Sequence, residues 1–236
     1  LDNSNAKLFV LNGAVSLLTA MRAYDEALVF AERLTALEVG KPESRTQCHG
    51  LASMVELNFK LGNRQLAASL VPQAVLACDA SKNQISALIV KSFSAIDLVD
   101  SGQYAKGITT SLPLVQQFHS VGTGSNWLAA VEEALARAYL KTGNLERAEH
   151  FGTQAYQRAQ VVKDLEWQEK TSETMATIKQ AQGQLASAIG YYQTNLAFKK
   201  KVLDDQQQKN LAYLRVKFDT QDKANQLALL EQKNKN

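Results

Sequence analysis

A chain of 236 residues with 45% hydrophobic content is long enough to bury a continuous core. Its net charge of +3 is concentrated at one end: from Lys199 onward there are nine Lys or Arg and five Asp or Glu, which leaves the preceding body close to neutral. A near-neutral body without a basic stripe excludes a nucleic-acid binder, whose affinity rests on phosphate neutralisation, and no apolar run approaches a membrane span.

Only 3 prolines and 12 glycines interrupt a sequence rich in Ala, Leu, Gln and Lys, so an all-α chain is expected. Helix pairs are predicted at 5–21 with 24–39, 44–61 with 64–80, and 84–101 with 104–120. Two further pairs follow at 124–142 with 145–162 and 165–182 with 185–200. Their organising feature is a repeat. The small residue that opens each second helix recurs as Ala27, Ala67, Gly107, Ala148 and Ala188, at intervals of 40, 40, 41 and 40 residues. Five residues before each mark stands Arg22, Gly62, Gly102, Gly143 or Gly183. Four of the five are glycine, as a left-handed helix terminus favours. Tyr24, Arg64, Tyr104, Leu145 and Leu185 follow as corner plugs, and Val15, Val55, Ala95, Ala136 and Ala176 supply slim contacts on the first helices.

Within the pairs, Pro42 is read as part of a connection, while Pro72 and Pro113 fall inside second helices and are expected to bend them. Gly122-Thr-Gly-Ser-Asn126 follows a helix rather than a strand and has Trp127 where a third glycine would stand. It reads as loop punctuation with Ser125 or Asn126 as an N-cap, not as a phosphate loop. From Tyr191 to the end there is no Gly or Pro. One long helix, or two joined near Asp219–Lys223, is expected there. Leu211, Leu214, Phe218, Leu227 and Leu230 form a candidate seam, packed on the last repeat as a cap or on a second copy as a dimer and relay element.

Tyr24-Asp25-Glu26-Ala27 and the series Leu135, Ala136, Tyr139, Gly143-Asn144, Ala148 resemble the tetratricopeptide repeat, a helix–turn–helix unit that stacks into a superhelix. The resemblance covers roughly 6–198, with a period longer than the usual ~34 residues. Repeats 2 and 5 depart from the pattern, with Asn58 and Lys179 where a large apolar residue is usual. It implies a right-handed superhelical solenoid of about five hairpins over 1–198, followed by a capping or signalling helix over 199–236. Tyr213-Leu-Arg-Val-Lys-Phe218-Asp and Lys223-Ala-Asn-Gln-Leu227-Ala-Leu-Leu230-Glu-Gln-Lys-Asn234 are similar to a segment of bacterial membrane-bound signalling proteins. In that family, extracytoplasmic repeats precede such a helix, a transmembrane helix and an output domain, often a GGDEF-type diguanylate cyclase or a histidine kinase. The chain begins at Leu1-Asp2-Asn3 without an initiator Met or signal peptide and is read as a piece of a longer protein, its membrane segment lying outside.

A search for chemistry finds no catalytic, cofactor or metal constellation. His49, His119 and His150 are scattered, and Cys48 and His49 point about 100° apart on a helix. Glu132-Glu133, the one adjacent acid pair considered for acid–base work, reads as a solvated helix face because no partner lies near in sequence. Cys48 lies 14 residues before Gly62 and Cys78 lies 16 after it, nearly opposite in an antiparallel hairpin. Two buried thiols are the preferred reading. A disulfide is the alternative and would fit an oxidising compartment.

The remaining candidate is the concave wall. Carrying the family's groove positions across gives Asn12, Ser16, Glu56, Lys60, Ser92, Glu133, Arg137, Lys141, Glu173 and Thr177, with Arg137 and Lys141 one turn apart for a carboxylate or carbonyl. The resemblance thus implies a periplasmic sensor that binds a peptide or protein in its groove and signals through the last helix. The alternatives are a cytoplasmic peptide-responsive regulator and a plain assembly scaffold. An enzymatic role for this chain is not expected.

Overall fold

A computed structural model describes residues 3–38, 40–41, 43–122 and 125–235. Pro42 lies outside them. Among the described residues there are ten helices and no strand. They are α1 (Asn3–Ala20), α2 (Tyr24–Leu37), α3 (Arg45–Lys60), α4 (Arg64–Ala80) and α5 (Gln84–Asp100). The remainder are α6 (Tyr104–Val121), α7 (Ser125–Lys141), α8 (Leu145–Val162), α9 (Leu165–Ala181) and α10 (Leu185–Lys235). Neighbours in sequence pack as antiparallel hairpins, and the odd-numbered helices also touch one another in succession, α1 on α3, α3 on α5, α5 on α7 and α7 on α9. That second set of contacts turns five hairpins into a solenoid.

The five corners share one backbone solution. Gly62, Gly102, Gly143 and Gly183 have φ of 81°, 80°, 82° and 75°, and Arg22 adopts the same left-handed region at 59°. The next amide then reaches back across the corner: Ala23 to the Leu18 carbonyl, Asn63 to Asn58, Gln103 to Leu98, Asn144 to Tyr139 and Gln184 to Lys179, all at 2.8–2.9 Å. This closes the helix end with the bond pattern that a left-handed residue permits. Second helices accordingly begin at Tyr24, Arg64, Tyr104, Leu145 and Leu185.

The repeat marks are contact points. Ala27, Ala67 and Ala148 are fully buried, as are Val55, Ala95, Ala136 and Ala176 on the facing first helices. At Gly107 a Cβ would sit 2.5 Å from Val99 Cγ2 and 3.4 Å from the Val99 amide nitrogen, so the approach of α6 to α5 admits only glycine. The largest apolar cluster lies between α5 and α9 and includes Phe118, Leu135, Met175 and Ile178. Phe59, Phe93 and Trp127 form an aromatic chain across α3, α5 and α7, with centroids 5.6 and 4.8 Å apart.

The two departures from the repeat pattern are compensated by hydrogen bonds. Asn58 is buried, its amide donating to the Met54 carbonyl at 2.8 Å while its oxygen accepts from Asn63 at 3.2 Å. Lys179 pairs with Glu149 on α8. Pro72 and Pro113 sit within α4 and α6, both of which run through as continuous helices. α7 begins at Ser125, and the Asn126 amide donates to Asp164 at 3.2 Å; the residues just before Ser125 lie outside the described ones, and with them the cap expected from sequence.

Two further expectations change. Cys48 and Cys78 are joined, with Cα atoms 4.6 Å apart, so the bridge replaces the two free thiols and ties the start of α3 to the end of α4. The hairpin brings the two ends together because its helices are of nearly equal length. The tail is one helix of 51 residues, without a joint at Asp219–Lys223.

Candidate functional site

The solenoid curls until its first corner meets its last hairpin. Arg22, held in the left-handed corner, forms an ion pair with Glu166 at the start of α9 and donates to Gln206 on α10 at 3.1 Å. Further along, the Lys217 ammonium donates to Glu26 at 2.7 Å and lies 5.5 Å from the Tyr213 ring centroid. The Glu26 carboxyl is held below its ordinary pKa by these hydrogen bonds, Lys217 first. α10 therefore leaves α9, passes the first corner and is tied to α1–α2 by side chains alone.

Inside this cradle lie three clefts, one between odd-numbered helices and two that α10 and the first corner also border. One of about 490 Å³ is lined by Ile96 and Asp100 from α5, by Glu133, Arg137, Leu140 and Lys141 from α7, and by Trp167, Lys170, Glu173, Thr174 and Thr177 from α9. The second, about 430 Å³, lies at the closure and includes Tyr24, Glu56, Lys60, Glu166 and Gln206. A third of about 370 Å³ between them is bordered by Lys60, Lys170 and Lys199.

A fixed polar frame orders the first cleft. Glu133 accepts from Arg137 Nε at 2.8 Å and from Thr174 at 2.7 Å, and Arg137 Nη1 donates to Asp100 at 2.8 Å. Burial works against the Arg137 charge, but Glu133 and Asp100 outweigh it and hold the guanidinium above its ordinary pKa. Two other charges are not satisfied in this way. Lys170 makes no ion pair among the described residues, and its ammonium stands 4.8 Å from the Trp167 ring centroid. Its side chain keeps contact with water, yet partial desolvation by the wall pushes its pKa down, with Glu133 opposing and Lys60 adding to the depression. Glu56 makes neither ion pair nor side-chain hydrogen bond among the described residues, and burial raises its carboxyl pKa against the pull of Lys60.

Of the groove positions taken from sequence, Glu133, Arg137, Lys141, Glu173 and Thr177 converge on one cleft, and Glu56 and Lys60 on its neighbour. Asn12 and Ser16 stand exposed on α1, the Ser16 hydroxyl bonded back to the Asn12 carbonyl at 3.1 Å. Ser92 is a correction: it is fully buried and donates to the Leu88 carbonyl at 2.8 Å, because α3 and α7 close over this small residue from both sides of α5. The groove on α5 opens only from Ile96 onward, one turn later.

The solvated face expected for Glu132-Glu133 is also overturned. Glu132 is fully buried and takes two hydrogen bonds from Arg158 of α8, both at 3.0 Å; Glu133 is 5% exposed. Sequence reasoning missed Asp100, Trp167 and Lys170. The signal was weak but present, since Lys170 lies one turn before Glu173–Thr174 on the same face. Leu211, Leu214, Phe218, Leu227 and Leu230 are 56–73% exposed, so the seam does not cap the array. Among the described residues no group of three or more His, Cys, Asp or Glu could hold a metal, and no helix is long and apolar enough to cross a membrane.

This architecture is a tetratricopeptide-like helical-hairpin solenoid with an extended last helix. No family model matches the sequence, and no curated protein does. Solved structures share the fold. The chain is similar to PlcR of Bacillus thuringiensis, solved in complex with the peptide PapR7 and DNA, at TM-score 0.68 and 13% identity over 89% of this chain and 75% of that one. It is similar to the TPR-like repeats of a putative kinesin light chain of Podosopora anserina, at TM-score 0.59 and 17% identity over 86% and 99%. A double mutant of MamA aligns at TM-score 0.51 and 14% identity over 83% and 96%.

Proposed function

We propose that this chain is the ligand-sensing repeat domain of a membrane-anchored bacterial signalling protein. It binds a peptide or protein segment in its concave cradle and relays occupancy through α10 to an output domain outside this chain, a diguanylate cyclase or a histidine kinase. The observation that carries the reading is a pair of opposite charges on the inner wall, half-buried Glu56 and exposed Lys170, which the fold leaves without ionic partners and which the clefts reach. A half-buried charge without a partner opposes folding, so a ligand that supplies a counter-charge to Glu56 recovers part of that energy, and exposed Lys170 remains free to form a charge-assisted hydrogen bond. A peptide fits this chemistry. A carboxylate meets Lys170, backbone amides or a cation meet Glu56, and an apolar side chain lies against Ile96, Leu140 and Trp167.

The relay follows from the closure. A ligand that draws the inner wall together changes the spacing between the first corner and α10, to which Arg22 and Glu26 are tied. A shift of this kind needs a ligand with different affinity for two arrangements. The disulfide supports an exported, oxidising location, and with it the periplasmic side of an inner membrane. A second reading, a cytoplasmic peptide-responsive regulator, is favoured by the likeness to PlcR, solved with a peptide; the disulfide weighs against it.

To test the proposal, the disulfide-intact chain is panned against a displayed library of random peptides, and selected peptides are measured by calorimetry. Lys170→Met and Glu56→Gln should each weaken binding tenfold or more, about 1.4 kcal/mol. Selected peptides that bind both variants as tightly as the parent would rule out the cradle as the site.

A further inference from the structure

α10 carries an apolar stripe that faces away from the array. Ile189, Leu196, Leu203, Leu211, Leu214 and Phe218 are 52–73% exposed. At 100° per residue they fall within an arc of about 80°. The side of α10 that meets the array, marked by Asn195 and Val202 at 9% exposure each and by Gln206 and Lys217, is centred roughly a third of a turn from the middle of the stripe. Leu227 and Leu230, though exposed, fall about 100° or more outside the arc of the stripe. The structure therefore divides the seam read from sequence: three of its five residues join the stripe and two do not.

From this we infer that the outer stripe of α10 is the interface of a homodimer, its occupant being α10 of a second copy. Two features choose that occupant. The first is length: Ile189 to Phe218 spans about 44 Å at 1.5 Å per residue. A further hairpin stacked in register, with helices of 14–18 residues like α1 to α9, covers roughly 27 Å at most and leaves Leu211 to Phe218 bare. At 51 residues, α10 is the one described helix long enough to cover the stripe. The second is area: six side chains at about 100 Å² of apolar surface each give about 600 Å², most of the ~800 Å² per partner in a stable interface. Along a helix pair this is a seam of sevens and near-sevens, with Gln193, Lys200 and Gln207 as its polar interruptions. Polar residues in such a seam set register at some expense in stability. The opposite end of the solenoid also exposes apolar side chains, Phe9 and Leu17 on α1. Seating α1 of one copy on α10 of the next repeats without closing and builds a chain of copies rather than a dimer.

The test uses the intact chain in analytical ultracentrifugation from about 1 to about 200 µM, a range that brackets micromolar affinity. A species of twice 25.9 kDa is expected. Leu203→Glu and Leu214→Glu should weaken it at least a hundredfold with unchanged helical circular dichroism, while Leu227→Glu leaves it intact. The chain's only two cysteines are already bonded to each other. Single cysteines at Ile189, Leu203 and Phe218 are therefore clean reporters of intermolecular cross-linking, with Leu227→Cys and Leu230→Cys as controls. Dimers trapped through the stripe alone support the interface in either helix direction. A monomer at every concentration, a dimer indifferent to both glutamates, cross-links at the control positions alone, or a polymer that lengthens with concentration would each overturn it.

Discussion

Glu132 and Arg158 offer the sharpest energetic test of how α7 is seated. Glu132 has no exposed surface, and both of its oxygens are taken by Arg158, whose own side chain remains 26% exposed. Arg158→Met strands a carboxylate between α7 and α8 with no other partner among the described residues, a defect worth about 3–5 kcal/mol. Glu132→Leu should cost less, about 1–2 kcal/mol, because Arg158 retains access to water. With both replaced by apolar side chains, the pair's desolvation cost disappears along with its attraction, and the double variant should lie within about 1 kcal/mol of the parent. The expected coupling is therefore about 3–7 kcal/mol in magnitude, far above the few tenths found for independent sites. Urea unfolding at pH 7 with the disulfide intact measures it, followed by far-UV circular dichroism and by the fluorescence of Trp127 and Trp167 on α7 and α9. Coincident transitions justify the free-energy comparison. An Arg158→Met loss below about 1 kcal/mol, or singles that simply add in the double variant, would refute the buried pair.

Other consequences follow from the same packing. Replacing Cys48 and Cys78 by alanine opens a 30-residue loop and should lower stability by about 3.5 kcal/mol in the chain-entropy estimate, read as a shift in urea midpoint. Glu56 has a folded-state pKa raised by burial, so its contribution is fully present below the unfolded carboxyl pKa and is lost as pH rises through the folded one. Glu56→Gln should accordingly flatten that loss and raise the midpoint at pH 7. Lys170, whose pKa is depressed by burial, has the opposite sign: its contribution is present above the unfolded lysine pKa and lost as pH falls through the folded value. Because Lys170 stays in contact with water, Lys170→Met should move the urea midpoint at pH 7 little, within about 0.5 kcal/mol, while weakening peptide binding. Lys82 is exposed at φ 56°, where a side chain costs about 1–2 kcal/mol. Lys82→Gly should recover up to about 1 kcal/mol after the added freedom of the unfolded chain is counted, whereas Gly62→Ala at φ 81° should lose a similar amount.

What could be read in advance was whatever recurs. Gly62, Gly102, Gly143 and Gly183 mark corners because each needs the same left-handed geometry, and Ala27 to Ala188 mark helix contacts because five hairpins stack alike. Single events left no such signature. Glu132 has its partner 26 residues away on another helix, so the local pattern could not distinguish a solvated acid from a buried one. Ser92 fits the concave face by periodicity, yet the approach of α3 and α7 covers it. Lys170 feels charges on α3, α5 and α7 together, from Lys60, Asp100, Glu133 and Arg137, a convergence set by the curvature of the whole array. The contact between Arg22 and Gln206, 184 residues apart, arises from that same curvature, which no repeat spacing specifies.

Coupling between cradle and rod can be measured as a distance. Cysteines introduced at Glu32 on α2 and Gln208 on α10, both exposed, carry spin labels without touching the native bridge, and pulsed dipolar spectroscopy reports their separation with and without a saturating cradle-binding peptide. Binding should move or narrow the distance distribution, and the change should vanish in Lys170→Met. Superimposable distributions for the free and peptide-saturated chains would contradict the relay.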